Sequence, residues 1–211
     1  MNICYNQYMI IRDIKLKSKN NPNIFVITTD SGEFIFHSDI IVKYSLSGSD
    51  IQSDLFFKAL RESEILIATN LAMKYLSTRV KTEKQTKEYL LKKNFTLDAI
   101  DEVIMKMKEY KVIDDSEYAK AYIRSNMQTS KMRLKQKLIK SGVSKEYIDE
   151  SLTDIDDYNS CFVNAKKFLK NKEINKENCE KLTRRLYYLG YAWDTIKKVL
   201  WDLANLDLEE S

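Results

Sequence analysis

Proline and glycine are scarce in this sequence, which has one proline and four glycines in 211 residues. Folds built from strands and tight turns use both residues often, because their turns need a fixed or a positive φ. The scarcity therefore favours long helices joined by short loops. The chain is long enough for one or two domains with a substantial core.

Cysteine and histidine are too few and too scattered for the usual zinc sites. Cys4, Cys161 and Cys179 show no CxxC spacing, and His37 is the single histidine. We expect free thiols in a reducing compartment and no metal ion. No apolar run approaches the roughly 20 residues of a membrane span, and the first residues lack the basic start of a signal peptide. The sequence thus predicts a cytoplasmic protein with no membrane partner.

The motifs of the common enzyme classes are missing as well. The sequence has no GxxxxGK[ST], GxGxxG, GxSxG or HExxH pattern, and one histidine is a poor basis for a metal site or a serine triad. Two acidic pairs, Asp114-Asp115 and Asp156-Asp157, precede helical segments, where carboxylates cap a helix and complement its dipole. We therefore expect capping rather than catalysis or metal binding at these pairs, no cofactor and no enzyme activity.

Charged residues are abundant and slightly unbalanced toward the positive. They make up 31% of the chain beside 44% hydrophobic residues, with a net charge of +4. This composition is typical of a soluble globular protein. The mild positive charge permits a polyanionic partner without requiring one, so the placement of the basic residues matters more than their sum.

The first 50 residues indicate a small antiparallel β-meander followed by a short helix. Three β-prone segments alternate with turn sequences: 9–18, 24–30 and 34–38. Residues 39–46 then predict a helix with Ser38 or Asp39 as its N-cap. Three small strands are not stable alone, so we expect the sheet to pack on its own helix or on the next domain.

The remainder of the chain is predicted to be helical and contains the same pattern three times. The copies align at offsets of 48 residues: LLKKNFTLDAIDEVI (90–104), LIKSGVSKEYIDESL (138–152) and LYYLGYAWDTIKKVL (186–200). A unit of three short helices cannot bury its faces alone, so we expect a mainly α fold with stacked units in an elongated, curved array. The predicted organisation is a helical connection at 51–61, three-helix repeats at 62–113, 114–156 and 157–207, and an acidic tail at 208–211.

Each copy has a residue suited to the left-handed conformation between its second and third helices. Gly142 and Gly190 stand there in the second and third copies, where a helix C-terminus favours glycine. Asn94 stands there in the first copy and is the next best residue for this conformation. Thr96 and Ser144 follow as N-caps of the next helix. The sequence therefore predicts the same helix–turn–helix in each copy.

The basic residues are densest in the second helix of the second copy. Six lie between residues 131 and 145 with no acid among them, and Arg133, Lys137 and Lys140 share one side of a helix. Three apolar residues are expected to face the core instead: Leu134, Leu138 and Ile139. An ordinary solvated face and an anion-binding surface both remain open. Candidate contact residues over the three copies are Arg79, Lys92, Lys93, Arg124, Lys131, Arg133, Lys137, Lys140, Arg184 and Arg185.

The aromatic residues of the repeats recur at helical spacings, which favours positions in the cores between helices. Those assigned to cores are Tyr118, Tyr122, Phe162, Phe168, Trp193 and Trp201. Tyr187 and Tyr188 are adjacent and cannot both face inward, so one of them is a further candidate for partner contact.

Three stretches together resemble the bacterial RecX family of regulatory proteins: YLSTRVKTEKQTKEYLLKKNF from Tyr75, VIDDSEYAKAYI from Val112 and LKQKLIKSGVSKEYI from Leu134. The resemblance covers about residues 60–205. It implies a protein that is not an enzyme and that binds the RecA recombinase filament in its helical groove, bridging neighbouring protomers. Such binding modulates ATP hydrolysis and strand exchange, usually by inhibition.

The resemblance also assigns roles to individual positions. The residues that match the family pattern are Arg79, Asp114, Asp115, Tyr118, Ala119, Leu138 and Gly142. Most of them are implied to maintain the fold, with Asp115 capping and Tyr118 packing. Arg79 and the helix from Arg133 to Lys140 are the better contact candidates. Asn94 departs from the family, which usually has glycine at that position. Lys111 also departs from it, since glycine is frequent there.

Two other classes of function are consistent with the same sequence. The basic helices fit a monomeric nucleic-acid-binding module that acts alone on single- or double-stranded DNA, with a steep salt dependence. A plain helical adaptor for some other protein is the third class.

Overall fold

The structure, a computed structural model, describes residues 7–48, 50–170 and 172–209, without the side chains of 206–209. Cys4 and the last two residues of the expected acidic tail lie outside the described residues, and Leu208 and Glu209 belong to the last helix. Three strands, one short helix and a fourth strand come first: β1 Tyr8–Leu16, β2 Ile24–Thr29, β3 Glu33–His37, α1 Ser38–Lys43 and β4 Asp50–Gln52. Nine helices follow in the described chain: α2 Ser53–Leu76, α3 Glu83–Leu91, α4 Leu97–Glu109, α5 Asp115–Ser125, α6 Lys131–Ser141, α7 Lys145–Ser151, α8 Asp157–Leu169, α9 Lys176–Tyr188 and α10 Trp193–Glu209. The mainly helical fold with a small N-terminal antiparallel sheet is confirmed.

The sheet contains a fourth strand that the sequence did not predict. All pairings are antiparallel, in the order β3-β2-β1-β4. Met9 of β1 lies opposite Ile51 of β4, and both side chains are buried in the sheet's core. Three residues are too few for a recognisable alternation, so this strand depends on its partner rather than on its own pattern.

The cap of α1 also differs from the prediction. His37, not Ser38 or Asp39, is the N-cap, and its Nδ1 accepts a hydrogen bond from the backbone N–H of Asp39 at 3.2 Å. The Ser38 hydroxyl instead donates to the Asp39 carboxylate at 3.1 Å. The backbone N–H of His37 donates to the Ser63 hydroxyl of α2 at 2.7 Å, so the histidine is fixed from both sides.

The chain divides into two compact units. Unit 1 holds Met1–Val80 and Gln85–Ile113, and unit 2 holds Lys81–Lys84 and Asp114–Ser211. In unit 1, α2 is one continuous helix whose first half packs on the sheet through Phe56. Its second half packs through Ala72 on the core formed with α3 and α4. The predicted connection and the first helix of the first repeat are therefore parts of a single helix.

Unit 2 has two cores, each built by three helices. The α5–α7 core contains Ala119, Leu134, Leu138 and Ile148, and the α8–α10 core is centred on residues such as Leu186. Both cores follow the predicted three-helix pattern. The exact residue limits of the repeats stay a prediction.

Candidate partner-binding surface

Helix α6 presents one apolar side and one basic side. Its N-cap is Ser130. Its C-cap is Gly142, which has the left-handed conformation with φ of 89°. Leu134 and Leu138 are buried as predicted, whereas Ile139 is 55% exposed, so the prediction that it faces the core was wrong. Adjacent helix positions differ by about 100° around the axis. With Leu138 at the centre of the core, Ile139 therefore points away from it.

The predicted basic stripe is divided by its surroundings. Lys137 and Lys140 are exposed and form no ion pair with a described residue. Arg133 is half-buried, its Nη2 donates to the backbone carbonyl of Tyr188 at 2.8 Å, and its guanidinium carbon lies 5.4 Å from the centre of the Tyr188 ring. We call Lys137 and Lys140 the α6 basic face, because Arg133 is held by a structural contact.

The next helix neutralises another lysine of α6. The Nζ of Lys135 lies 2.6 Å from Oδ1 of Asp149 on α7, and this hydrogen bond holds the pKa of the Asp149 carboxyl below its usual range. The backbone N–H of Lys131 donates to the carboxylate of Asp157 on α8. The cationic groups that remain available at the C-terminal half of α6 are those of the α6 basic face.

The start of α3 and the end of α6 are joined by a first contact set within unit 2. The Thr82 hydroxyl donates to the carbonyl of Ser141 at 2.6 Å, and Nζ of Lys84 donates to the carbonyl of Lys140 at 3.2 Å. Asp115 Oδ1 accepts the backbone N–H of Glu83 at 2.9 Å. These bonds satisfy free groups at the ends of two helices.

A second contact set repeats this arrangement between α6 and the end of α9. The Ser130 hydroxyl donates to the carbonyl of Leu189 at 2.7 Å, and Arg133 donates to the next carbonyl on the N-terminal side. Asp157 Oδ1 accepts the backbone N–H of Lys131 at 2.6 Å. Burial raises the pKa of the Asp157 carboxyl. The sequence did not predict these contacts, because the partners are 26–59 residues apart.

The two acids of each pair have different roles. Asp114 and Asp156 are the N-caps of α5 and α8, so the capping interpretation is confirmed for them. Asp115 and Asp157 instead bind the first turns of α3 and α6, so capping by Asp115 is directed at a helix other than its own. Each pair therefore fixes two helix starts at once.

The other predicted structural residues occupy the expected places. Gly142 and Gly190 have φ of 89° and Asn94 has φ of 63°, which confirms the left-handed turn in all three copies. Ala119 is fully buried, and Tyr118 packs against the same core with its hydroxyl 3.3 Å from that of Ser141. Thr96 and Ser144 cap the helices that follow the turns. Lys111, which departs from the family pattern, also has a positive φ, of 53°.

The remaining candidate contact residues are exposed but dispersed over several helices. In unit 1 they are Arg79 after α2 and Lys92 and Lys93 at the end of α3. In unit 2 they are Arg124 in the last turn of α5 and Arg184 and Arg185 on α9. Among the described helices of unit 2, α6 has the largest number of predicted contact residues, namely Lys131, Arg133, Lys137 and Lys140.

The aromatic prediction was wrong for both tryptophans. Trp193 is 51% exposed and Trp201 is 68% exposed, because Ile196, Val199 and Leu203 take the buried positions of α10. Tyr187 and Tyr188 are both exposed, where the sequence required only one of them to be. Tyr118, Tyr122, Phe162 and Phe168 are partly buried against the cores, as expected.

Two other kinds of feature are not found in the part of the chain that the structure describes. Among the described residues, no group of three or more His, Cys, Asp or Glu side chains is placed to hold a metal ion. Among the same residues, no helix has the length and apolarity needed to cross a bilayer.

Comparison with known families identifies the helical repeats. Residues 68–107 match the first three-helix domain of RecX, and residues 114–152 match the second. A regulatory protein RecX of Caldanaerobacter subterraneus subsp. tengcongensis is 30% identical over 197 residues, covering 91% of this chain and 98% of that protein. A regulatory protein RecX of Clostridium botulinum is 27% identical over 207 residues, covering 94% and 98%.

Two solved structures share the fold. A crystal structure of regulatory protein RecX has a TM-score of 0.67 at 18% identity and covers 92% of this chain and 99% of its own. The crystal structure of RecX from Lactobacillus salivarius has a TM-score of 0.61 at 23% identity and covers 67% and 97%. At these identities the similarity concerns the fold alone.

Proposed function

The chain belongs to the RecX family of regulatory proteins, and from this premise we propose that it binds the RecA–ssDNA filament in its groove and inhibits ATP hydrolysis and strand exchange. It does so as a cytoplasmic monomer, by binding rather than by catalysis, and without a cofactor. The repeats supply several binding surfaces, and the limits proposed for them are 62–113, 114–156 and 157–207.

The α6 basic face is the observation that carries this proposal. Lys137 and Lys140 are exposed on a helix whose opposite side is fixed by buried Leu134 and Leu138. Unpaired cations of the same sign on one helix repel one another slightly. A complementary acidic surface on the filament relieves that repulsion and orients the encounter.

A titration of the recombinase's ssDNA-dependent ATPase with this protein tests the proposal. We expect the ATPase rate and strand exchange to fall as the protein is added. The double variant Lys137→Glu, Lys140→Glu should need up to about thirtyfold more protein for half-inhibition, since each reversal removes a contact of up to about 1 kcal/mol. If saturating wild-type protein left both activities unchanged, the proposal would be wrong.

A matched control separates the α6 basic face from net charge. Lys17 and Lys19 are exposed lysines near the end of β1, with no ion pair to a described residue. Lys17→Glu, Lys19→Glu changes the net charge by the same amount in unit 1, and inhibition should match the wild type. Arg133 is unsuitable for this purpose, because its contact with Tyr188 couples charge to stability.

The alternative function, direct nucleic-acid binding, makes a different prediction for the same variants. The observation in its favour is the absence of acids among the six basic residues from Lys131 to Lys145. A protein acting alone on DNA should bind an oligonucleotide without recombinase, with affinity falling steeply as salt rises. If the α6 double variant abolished DNA binding but left filament inhibition intact, the basic face would belong to this alternative.

A further inference from the structure

The second helix of each repeat ends with the same arrangement of one buried and one exposed apolar side chain. The buried residues are Leu90, Leu138 and Leu186, all fully enclosed in the cores. The next residues are Leu91, Ile139 and Tyr187, which are 46%, 55% and 70% exposed. We call the second set the exposed apolar positions. They are separated by 48 residues and are the same position of the repeat.

The turn that follows fixes the backbone at these positions in the same way each time. The backbone N–H of Asn94, Gly142 and Gly190 donates to the carbonyl of the exposed residue, at 2.9, 3.0 and 2.9 Å. The next N–H donates to the carbonyl of the buried leucine, at 3.5, 3.1 and 3.2 Å. This is the helix-ending pattern that a left-handed residue allows. An apolar side chain is therefore held outward at a set place in every copy.

Cations accompany each exposed apolar position. Two basic residues lie within three positions of it in every copy: Lys92 and Lys93, Lys137 and Lys140, and Arg184 and Arg185. None of the six forms an ion pair with a described residue. Isolated exposed apolar residues are ordinary on protein surfaces. The same combination at one position in three copies is not accounted for by any core.

We infer that the three exposed apolar positions are equivalent contact points, each inserting its side chain into an apolar pocket bordered by carboxylates. A partner that meets all three presents that pocket repeatedly, as a polymer of identical subunits does. On the proposed function this partner is the recombinase filament, and the inference specifies how the repeats engage it. Binding at several linked points raises the overall affinity well above that of one point.

Three single variants and their combination test the inference. The changes are Leu91→Ser, Ile139→Ser and Tyr187→Ser, with affinity for a filament assembled on ssDNA measured by biolayer interferometry. Each single change should weaken binding about threefold to tenfold, because roughly half of one apolar side chain loses its buried contact. The triple variant should weaken binding by about thirtyfold to a thousandfold, because effects at separated sites add in free energy. Because all three side chains are exposed, circular dichroism should show unchanged folding.

Two controls have equally exposed apolar side chains at unrelated places. Val42 lies in α1 and is exposed, and Met127 lies in the loop after α5 and is exposed. Val42→Ser and Met127→Ser should bind the filament like the wild type. Unassembled recombinase, which offers one pocket at a time, should bind the wild type more weakly than the filament does.

The outcomes separate this inference from the function on which it rests. If the wild type binds the filament and the triple variant binds equally well, the contact points are wrong and the proposed function stands. Loss confined to one of the three single variants would also overturn the equivalence of the positions. If the wild type itself fails to bind, the proposed function and the inference fail together.

Discussion

Replacing Gly142 with alanine should destabilise unit 2 through two separable effects. Its φ of +89° is in the left-handed region, where a Cβ costs about 1–2 kcal/mol. The new Cβ would also lie 2.5 Å from Cβ of Lys84 and 2.7 Å from its Cδ. Because Cβ of Lys84 is next to the backbone of α3, rotation of the lysine side chain does not relieve the closer contact. Overpacking of this kind adds about 1–3 kcal/mol.

The expected loss in the free energy of unfolding is therefore about 2–5 kcal/mol. Urea denaturation followed by circular dichroism measures it, with the slope of the transition checked for a change in cooperativity. Two other glycines serve as controls. An added Cβ has no neighbour within 4 Å at Gly32, whose φ is +138°, or at Gly48, whose φ is not in the left-handed region.

The three variants should form an ordered series. Gly48→Ala should be within about 0.5 kcal/mol of the wild type, since it adds neither strain nor a clash. Gly32→Ala should lose only the conformational part, about 1–2 kcal/mol. Gly142→Ala should lose most. If Gly142→Ala were as stable as Gly48→Ala, the close packing of the α6 turn on the start of α3 would be refuted.

Three further predictions concern unit 2. Burial raises the pKa of Asp157 in the folded state above its value in the unfolded chain. The ionised carboxylate therefore lowers the stability of the fold at pH values above the folded-state pKa. This loss of stability disappears as the pH falls toward the pKa of the unfolded chain. Urea titrations between pH 4 and 7 should show that Asp157→Asn, which keeps the acceptor oxygen, removes this dependence, whereas Asp157→Ala loses about 1 kcal/mol. Burial raises the pKa of the Cys161 thiol to about 12, so iodoacetamide at pH 8 should modify Cys161 only after unfolding, as mass spectrometry of the peptides would reveal. Arg133→Ala should lower the free energy of unfolding by about 1–2 kcal/mol, because it removes the hydrogen bond to the Tyr188 carbonyl. Lys137→Ala should change it by less than about 0.5 kcal/mol. Equal effects of the two variants in thermal melts would contradict the conclusion that Arg133 is a structural residue and Lys137 is not.

Local chemistry explains what could be predicted from the sequence. The left-handed turns at Gly142 and Gly190, and the caps at Ser144 and Thr96, depend on residues within a few positions of one another. Because the repeats are 48 residues apart, the same kind of turn or cap is seen in more than one copy. The buried leucines of α6 follow from helical periodicity in the same way.

Features that depend on distant residues could not be predicted. Asp115 binds the backbone of Glu83, 32 residues away, and no local pattern distinguishes that acceptor from an ordinary N-cap. The exposure of Ile139 and Trp201 depends on which neighbouring positions fill the core, and hydrophobicity alone assigned both to it. Strand β4 exists because Ile51 pairs with Met9.

At the end of the second helix of a repeat, the backbone and the side chain of one residue have different roles. The carbonyls of Lys140 and Tyr188 occupy the same position of the repeat, and both accept a hydrogen bond from the start of the preceding copy's second helix. Their side chains, by contrast, are both exposed and chemically different. A backbone carbonyl accepts a hydrogen bond whatever its side chain is. These two hydrogen bonds therefore do not depend on which side chain stands at position 140 or 188. Substitution at such positions can therefore change what a repeat binds without changing how the repeats are joined.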